Sequence, residues 1–202
     1  MSKPDSGTLA ASIPPFLDYL RLERNFSRHT LQAYQRDLEE LQTYLNRGDP
    51  LTAIPLSVID HITIRDFLGH LLETGNSKAS VARKLAAIRS LFRFLHREGV
   101  VKNNPARLVR TPRQPDQKPE FLSEAETGTI LELPDVETPL GARDRAMLEL
   151  LYASGIRVSE LVGLNLEDCS LGLRLIKVRG KGRKERIVPF GRKAGESIAR
   201  YL

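Results

Sequence analysis

The sequence predicts a mainly α-helical chain with one small antiparallel sheet, arranged as a four-helix module followed by an α/β module. Three observations carry that expectation. Apolar residues recur at steps of three and four through most of residues 12–101. A proline-rich basic stretch breaks the pattern at 102–119. Beyond it, the run Leu173–Val178 and the run Glu185–Pro189 flank a turn at Gly180–Lys184, the signature of a hairpin.

Residues 1–11 are small and polar and read as a flexible tail. The first helix then sets Ile13, Phe16, Leu17 and Leu20 on one face. The second repeats Leu31, Tyr34, Leu38, Leu41 and Leu45, with Gly48 just past its end. The third opens at Thr63-Ile-Arg-Asp66, read as a capping box, packs Ile64, Phe67, Leu68, Leu71 and Leu72, and stops at Gly75. The fourth follows Ser77 with Val81, Leu85, Ile88, Phe92 and Leu95, and stops at Gly99. Short connections between amphipathic helices predict a compact bundle over 12–101. Pro105, Pro112, Pro115 and Pro119 forbid a continuous helix, so 102–119 reads as an extended linker carrying Lys102, Arg107, Arg110, Arg113 and Lys118. The second module, 120–202, opens with a capping box at Ser123 and Glu126. An apolar helix at Asp144–Ala153 includes Tyr152 in the predicted core, a short helix follows Arg157, and after the hairpin Gly195–Leu202 starts one more.

Hydrophobic residues make up 41% and charged residues 28%, enough apolar content for two cores and against wholesale disorder. The longest apolar stretches are broken by charges, so no membrane span is expected, and Met1-Ser-Lys-Pro-Asp lacks a signal-peptide core, which points to the cytoplasm. One cysteine and four scattered histidines give no disulfide and no metal-ligand spacing; neither metal nor cofactor is expected. The net charge of +6 suits a polyanionic partner, provided the cations cluster.

They do cluster. The hairpin region holds Lys177, Arg179, Lys181, Arg183, Lys184, Arg186, Arg192 and Lys193 against Glu185 alone, with Lys181 at the tip. Such a turn is either a solvated charged surface or an anion-binding one. Arg157 lies in an otherwise apolar sequence and must find an acceptor, either Glu160 three residues on or a phosphate, in which case Glu160 orients it. The fourth helix presents Lys78, Arg83, Lys84, Arg89 and Arg93 off its apolar stripe, and the second begins Ser27-Arg28-His29-Thr30. Charge opposite an apolar face is usually only a wet face. Two basic helices, a basic linker and a basic hairpin in one chain together suit a clamp around duplex DNA.

The run Arg143 to Leu164, with Gly-Ile-Arg157-Val-Ser-Glu160-Leu at its centre, closely resembles the first catalytic-arginine segment of the tyrosine recombinases, nearest the Xer type. Gly180-Lys-Gly-Arg-Lys-Glu-Arg-Ile-Val-Pro189 resembles the lysine hairpin of that family, and Ser27-Arg-His-Thr30, Tyr34, Asp37-Leu38 and Leu91–Glu98 are similar to its helical DNA-gripping domain. The resemblance implies a SAM-like N-terminal domain, then the first part of the α/β catalytic domain. It implies that Arg157 and Lys181 are catalytic, that Glu160 supports Arg157, and that Arg28, His29, Thr30, Lys78, Arg83, Arg89, Arg179, Arg183 and Lys184 meet DNA. The implied reaction cuts and rejoins double-stranded DNA through a phosphotyrosine, without cofactor, and serves chromosome-dimer resolution at cell division. The implied partner is a second Xer-type recombinase in a heterotetramer on DNA. In the family a His-x-x-Arg pair and the nucleophilic tyrosine follow the lysine; here no histidine follows His96, and neither Tyr201 nor Tyr152 fits the nucleophile. The 202 residues are therefore expected to be C-terminally truncated, monomeric and inactive alone. A non-catalytic DNA-binding protein and a phage or transposon integrase are the alternative readings.

Overall fold

The computed structural model describes residues 7–49, 51–113, 121–180 and 184–202. The chain divides into two units, Met1–Gln117 and Lys118–Leu202, each with a core of its own.

In the first unit α1 (Leu9–Leu22), α2 (Arg28–Leu45) and α3 (His61–Glu73) surround α4 (Lys78–Arg97), which touches all three. The periodic residues of α4, Val81, Leu85, Ile88, Leu91, Phe92 and Leu95, are buried, and Phe16, Leu38, Leu41 and Phe67 meet them in the core. Ser27 and Ser77 start α2 and α4 by accepting from the amides of Thr30 and Ser80. Gly75 and Gly99 end α3 and α4 with φ of +86° and +73°, a conformation costly for any side chain with a Cβ.

Three details of this unit correct the sequence reading. The supposed tail is structured from Gly7: Thr8 caps α1, Leu9 is buried, its amide bonds Ile54 O at 2.8 Å, and Leu56 N bonds Gly7 O at 2.8 Å. Pro14 and Pro15, which mask the early start in sequence, lie inside the helix. The third helix is capped by Asp60 rather than Thr63, because the Asp60 carboxylate accepts from the amides of Ile62 and Thr63 and from the Thr63 hydroxyl. The linker is not extended from its start: Pro105–Leu108 forms a 3-10 turn, and Ala106 and Val109 join the bundle core. The rest of the predicted linker, from 114, lies outside the described residues.

The second unit contains α5 (Glu124–Glu132), α6 (Pro139–Ser154), α7 (Val158–Val162), a sheet of β1 (Cys169–Ser170), β2 (Leu175–Arg179) and β3 (Glu185–Pro189), and α8 (Arg192–Tyr201). The sheet is antiparallel in the order β1-β2-β3, with Ile176 opposite Val188 and Val178 opposite Arg186. Ile176 and Val178 face inward onto Ala146, Leu150, Ile156, Phe190 and Ile198. The capping box at Ser123 and Glu126 is formed.

Again the structure departs from the sequence in places. Helix α6 begins at Pro139, not near Asp144, because Thr138 caps it and proline suits its first position. At Gly141 an added Cβ would stand 1.9 Å from the carbonyl oxygen of Asp135. Strand β2 starts at Leu175 rather than Leu173, since Leu171–Arg174 forms the turn from β1, with Arg174 at φ +53°. The two-residue β1 was too short for alternation to reveal. Tyr152, read as core, is 63% exposed, because α6 is covered on only one side. Tyr201 lines an open groove of about 390 Å³ with Leu150, Ile198 and Leu202. Among the described residues no helix is long and apolar enough to cross a membrane.

Candidate functional site

The site of the second unit is organised by one carboxylate. Gly155, at φ +62°, ends α6, and two residues later the chain enters α7 with Arg157 as its N-cap. Glu160, in the first turn, folds back so that Oε2 accepts from the Arg157 amide at 2.8 Å while Oε1 accepts from Arg157 Nη1 at 3.1 Å. Arg186 approaches from β3: its Nη1 lies 2.6 Å from Oε1 and its Nη2 2.9 Å from Oε2. The Glu160 side chain is 3% exposed, so its charge survives only because these donors replace water. They hold its pKa at about 2, with Arg186 the largest cause, then the Arg157 amide. The ion pair of Arg157 with Glu160 is formed. What the sequence did not show is that Arg157, despite apolar neighbours in the chain, is 71% exposed at its side chain. It gives one side-chain bond to Glu160 and turns the rest of its fork to solvent, where a planar guanidinium can take two phosphate oxygens.

In the sequence Arg186 is one of the hairpin cations, with nothing local to mark a role. The alternation of β2 is the signal that finds it. Ile176 and Val178 point inward, and the residue paired with Val178 on β3 is Arg186, which therefore enters from the core face and needs a buried partner.

The base of the hairpin adjoins this cluster. Gly180 N bonds Lys184 O at 2.8 Å, and a Cβ on Gly180 would lie 3.5 Å from Glu160 Oε1 and 3.4 Å from Arg186 Nη1. Lys181 and Arg183 lie outside the described residues. Lys184 is exposed, and Arg179 pairs with Glu185 at 3.0 Å on the open face of the sheet. Asp168 accepts from the Asn165 amide through Oδ2, and its Oδ1 lies 3.6 Å from Lys177 Nζ without a hydrogen bond among the described residues. The Asn165 amide bond, first among its causes, lowers the Asp168 pKa. Among the described residues no cluster of His, Cys, Asp and Glu could hold a metal ion.

The basic residues of the first unit fall into two groups. Arg28, His29 and Lys78 are exposed in the first turns of α2 and α4, and Thr30 is partly covered beside Ser27. Arg83 pairs with Asp37 of α2, whose side chain is 3% exposed, while about half of Arg83 stays in water. Lys84 is buried against Glu40. Arg89, expected to contact DNA, is engaged within its own unit. Its guanidinium turns inward and donates to Ala106 O at 3.1 Å, to Val109 O and to Thr111 Oγ1 at 2.9 Å, while its own carbonyl accepts from Asn104. It is a staple between α4 and the segment that follows the bundle.

Residues 13–99 match the family model for the phage integrase N-terminal SAM-like domain, and residues 120–202 match that for the phage integrase family. The chain is similar to the tyrosine recombinase XerC of Thermodesulfovibrio yellowstonii, with 45% identity over 94% of this chain and 61% of that protein. It is also similar to the tyrosine recombinase XerD of Haemophilus influenzae, with 40% identity over 95% of this chain and 63% of that protein. The chain thus spans about three fifths of the length of these relatives. Among solved structures, lambda integrase as a tetramer bound to a Holliday junction shares the fold, with TM-score 0.74 and 20% identity over 96% of this chain and 56% of that one. So does the Tn1549 transposon integrase with a circular intermediate DNA, with TM-score 0.72 and 17% identity over 96% of this chain and 65% of that one.

Proposed function

Because the chain belongs to the phage integrase family of tyrosine recombinases, we propose that it acts in the cytoplasm as a site-specific recombinase of the Xer type, cutting and rejoining duplex DNA. The observation that carries this reading is Arg157: a guanidinium fixed at one edge by a buried carboxylate and open at the other, beside the base of a basic hairpin. In the proposed reaction a tyrosine oxygen bonds to the scissile phosphorus and the bond to the 5′ oxygen breaks. Arg157 holds the non-bridging oxygens as charge gathers on them. Lys181, assigned on the resemblance of its segment, gives its proton to the departing 5′ oxygen. The second arginine and the nucleophile implied by the family have no match among residues 1–202. Arg28, His29, Thr30, Lys78, Arg83, Arg179, Arg183 and Lys184 are assigned to the DNA backbone, where they fix register and carry no sequence information of their own. The working assembly is a heterotetramer with a second recombinase on DNA, in the service of chromosome-dimer resolution.

The test uses a chain extended to the length of its relatives and a nicked suicide substrate. Arg157→Ala and Lys181→Ala should each abolish the covalent protein–DNA adduct while gel-shift binding persists; normal adduct formation by both refutes the assignments. Residues 1–202 alone should bind duplex without forming an adduct. Their affinity should fall steeply with salt as Lys and Arg contacts release counterions, and a flat salt response would remove the DNA-binding reading.

A further inference from the structure

Arg186 is left without a function by the proposed chemistry, yet it makes the closest contacts in the site. Its two terminal nitrogens meet the two oxygens of Glu160 end-on, at 2.6 Å and 2.9 Å. Each of those oxygens already receives one bond from Arg157, Oε1 from Nη1 and Oε2 from the amide. Four N–H donors from two arginines therefore converge on one carboxylate.

The consequence lies in what Arg157 is prevented from doing. A carboxylate three residues along a helix from an arginine is within its reach, and arginine–carboxylate pairs frequently close through two parallel bonds. Such a pair would close the fork of Arg157 on Glu160 and compete with any phosphate for its donors. Here that geometry is blocked, because Arg186 occupies the outer edge of the carboxylate. Arg157 is limited to one side-chain bond, and most of its guanidinium stays in solvent. Arg186 is held in turn by the ladder, opposite Val178, and its Nη1 would stand 3.4 Å from a Cβ on Gly180, so the pair lies against the base of the hairpin.

We propose that Arg186 is a positioning residue: by saturating Glu160 it keeps the fork of Arg157 open for a phosphodiester and ties the base of the lysine hairpin to the start of α7. The proposal rests on the reading that Arg157 meets phosphate. Arg186 itself touches no substrate in this scheme.

The experiment is a titration of the chain with dimethyl phosphate, a phosphodiester monoanion, read by the side-chain nitrogen resonances of Arg157. Wild type should show a saturable shift that Arg157→Lys lacks at that position. Arg186→Gln should weaken phosphate binding about tenfold, the equivalent of ~1.4 kcal/mol, and should raise the carboxyl titration of Glu160 from about 2 toward the ordinary glutamate range. Arg186→Lys, which keeps the charge but loses the parallel pair, should fall between the two. Backbone amide spectra of Ile176 and Val178 check that the sheet persists, and if Arg186→Gln does not fold, Arg186→Lys alone decides. A normal wild-type response with unchanged affinity in a folded Arg186 variant overturns the proposal and leaves the reading of Arg157 standing. No response of Arg157 in wild type sinks both.

Discussion

Replacing Arg89 by methionine keeps the aliphatic stem in its place on α4 and removes only the guanidinium. Three bonds are lost, to Ala106 O, Val109 O and Thr111 Oγ1. A hydrogen bond from a charged donor contributes about 1.5–3 kcal/mol. The three share one side chain and are not additive, and the freed acceptors recover part of their hydration, so the expected loss is about 2–4 kcal/mol. Ala106 and Val109 are buried in the bundle core, so the whole first unit should feel the change. For a domain of this size that corresponds to a fall in Tm of at least ~8 °C. The measurement pairs a thermal melt with duplex-DNA titrations at several salt concentrations. A phosphate contact contributes about 0.9 to the slope of log K against log salt; with the Arg89 guanidinium engaged on Ala106 O, Val109 O and Thr111 Oγ1, the slope should not change. An unaltered Tm together with a shallower slope would show that Arg89 faces DNA and that the staple is wrong.

Acid should weaken the second unit in a defined window. The Glu160 pKa is depressed to about 2 from 4.5, so its contribution is fully present above about pH 4.5 and is lost as the pH falls toward 2; melts of Glu160→Gln should be less stable at neutral pH and flatter across that window. Arg83→Met should cost about 1–3 kcal/mol at pH 7, less than the ~3–5 of a fully buried pair because half of Arg83 is solvated. Burial already raises the Asp37 pKa and Arg83 opposes it, so the penalty should shrink at pH 4, where Asp37 can take a proton; an equal penalty at both pH values contradicts the pairing. Ser123→Ala breaks the reciprocal cap of α5 and should cost about 0.5–2 kcal/mol, seen as faster amide exchange confined to that helix.

Most of the helical frame was legible because it is written in local signals. Steps of three and four placed α2 and α4, Ser27 and Ser77 marked their starts, and Gly75 and Gly99 marked where α3 and α4 end. The misses have a common cause: they depend on partners distant in sequence. Leu9 reads as tail until Ile54 comes beside it. Pro105–Val109 reads as linker until Arg89, some twenty residues earlier, bonds its carbonyls. In the site, the pairing of Arg157 with Glu160 was legible because they are three residues apart on one helical turn. Arg186 was missed because its meaning lies in the register of a hairpin, which pairs it with inward-facing Val178 and so delivers a cation to a buried acid.

Gly141 shows how narrowly one backbone crossing can constrain a sequence. Besides Thr138 Oγ1 at 2.9 Å, a Cβ there would collide with the carbonyl carbon and oxygen of Asp135, which cannot rotate aside as a side-chain tip would. Even alanine, elsewhere the most welcome helical residue, must either unseat Thr138 from its cap or push the preceding turn outward. In a saturation library scored for folding, position 141 should accept glycine alone, while Gly128 on neighbouring α5, with open space around it, should accept most substitutions.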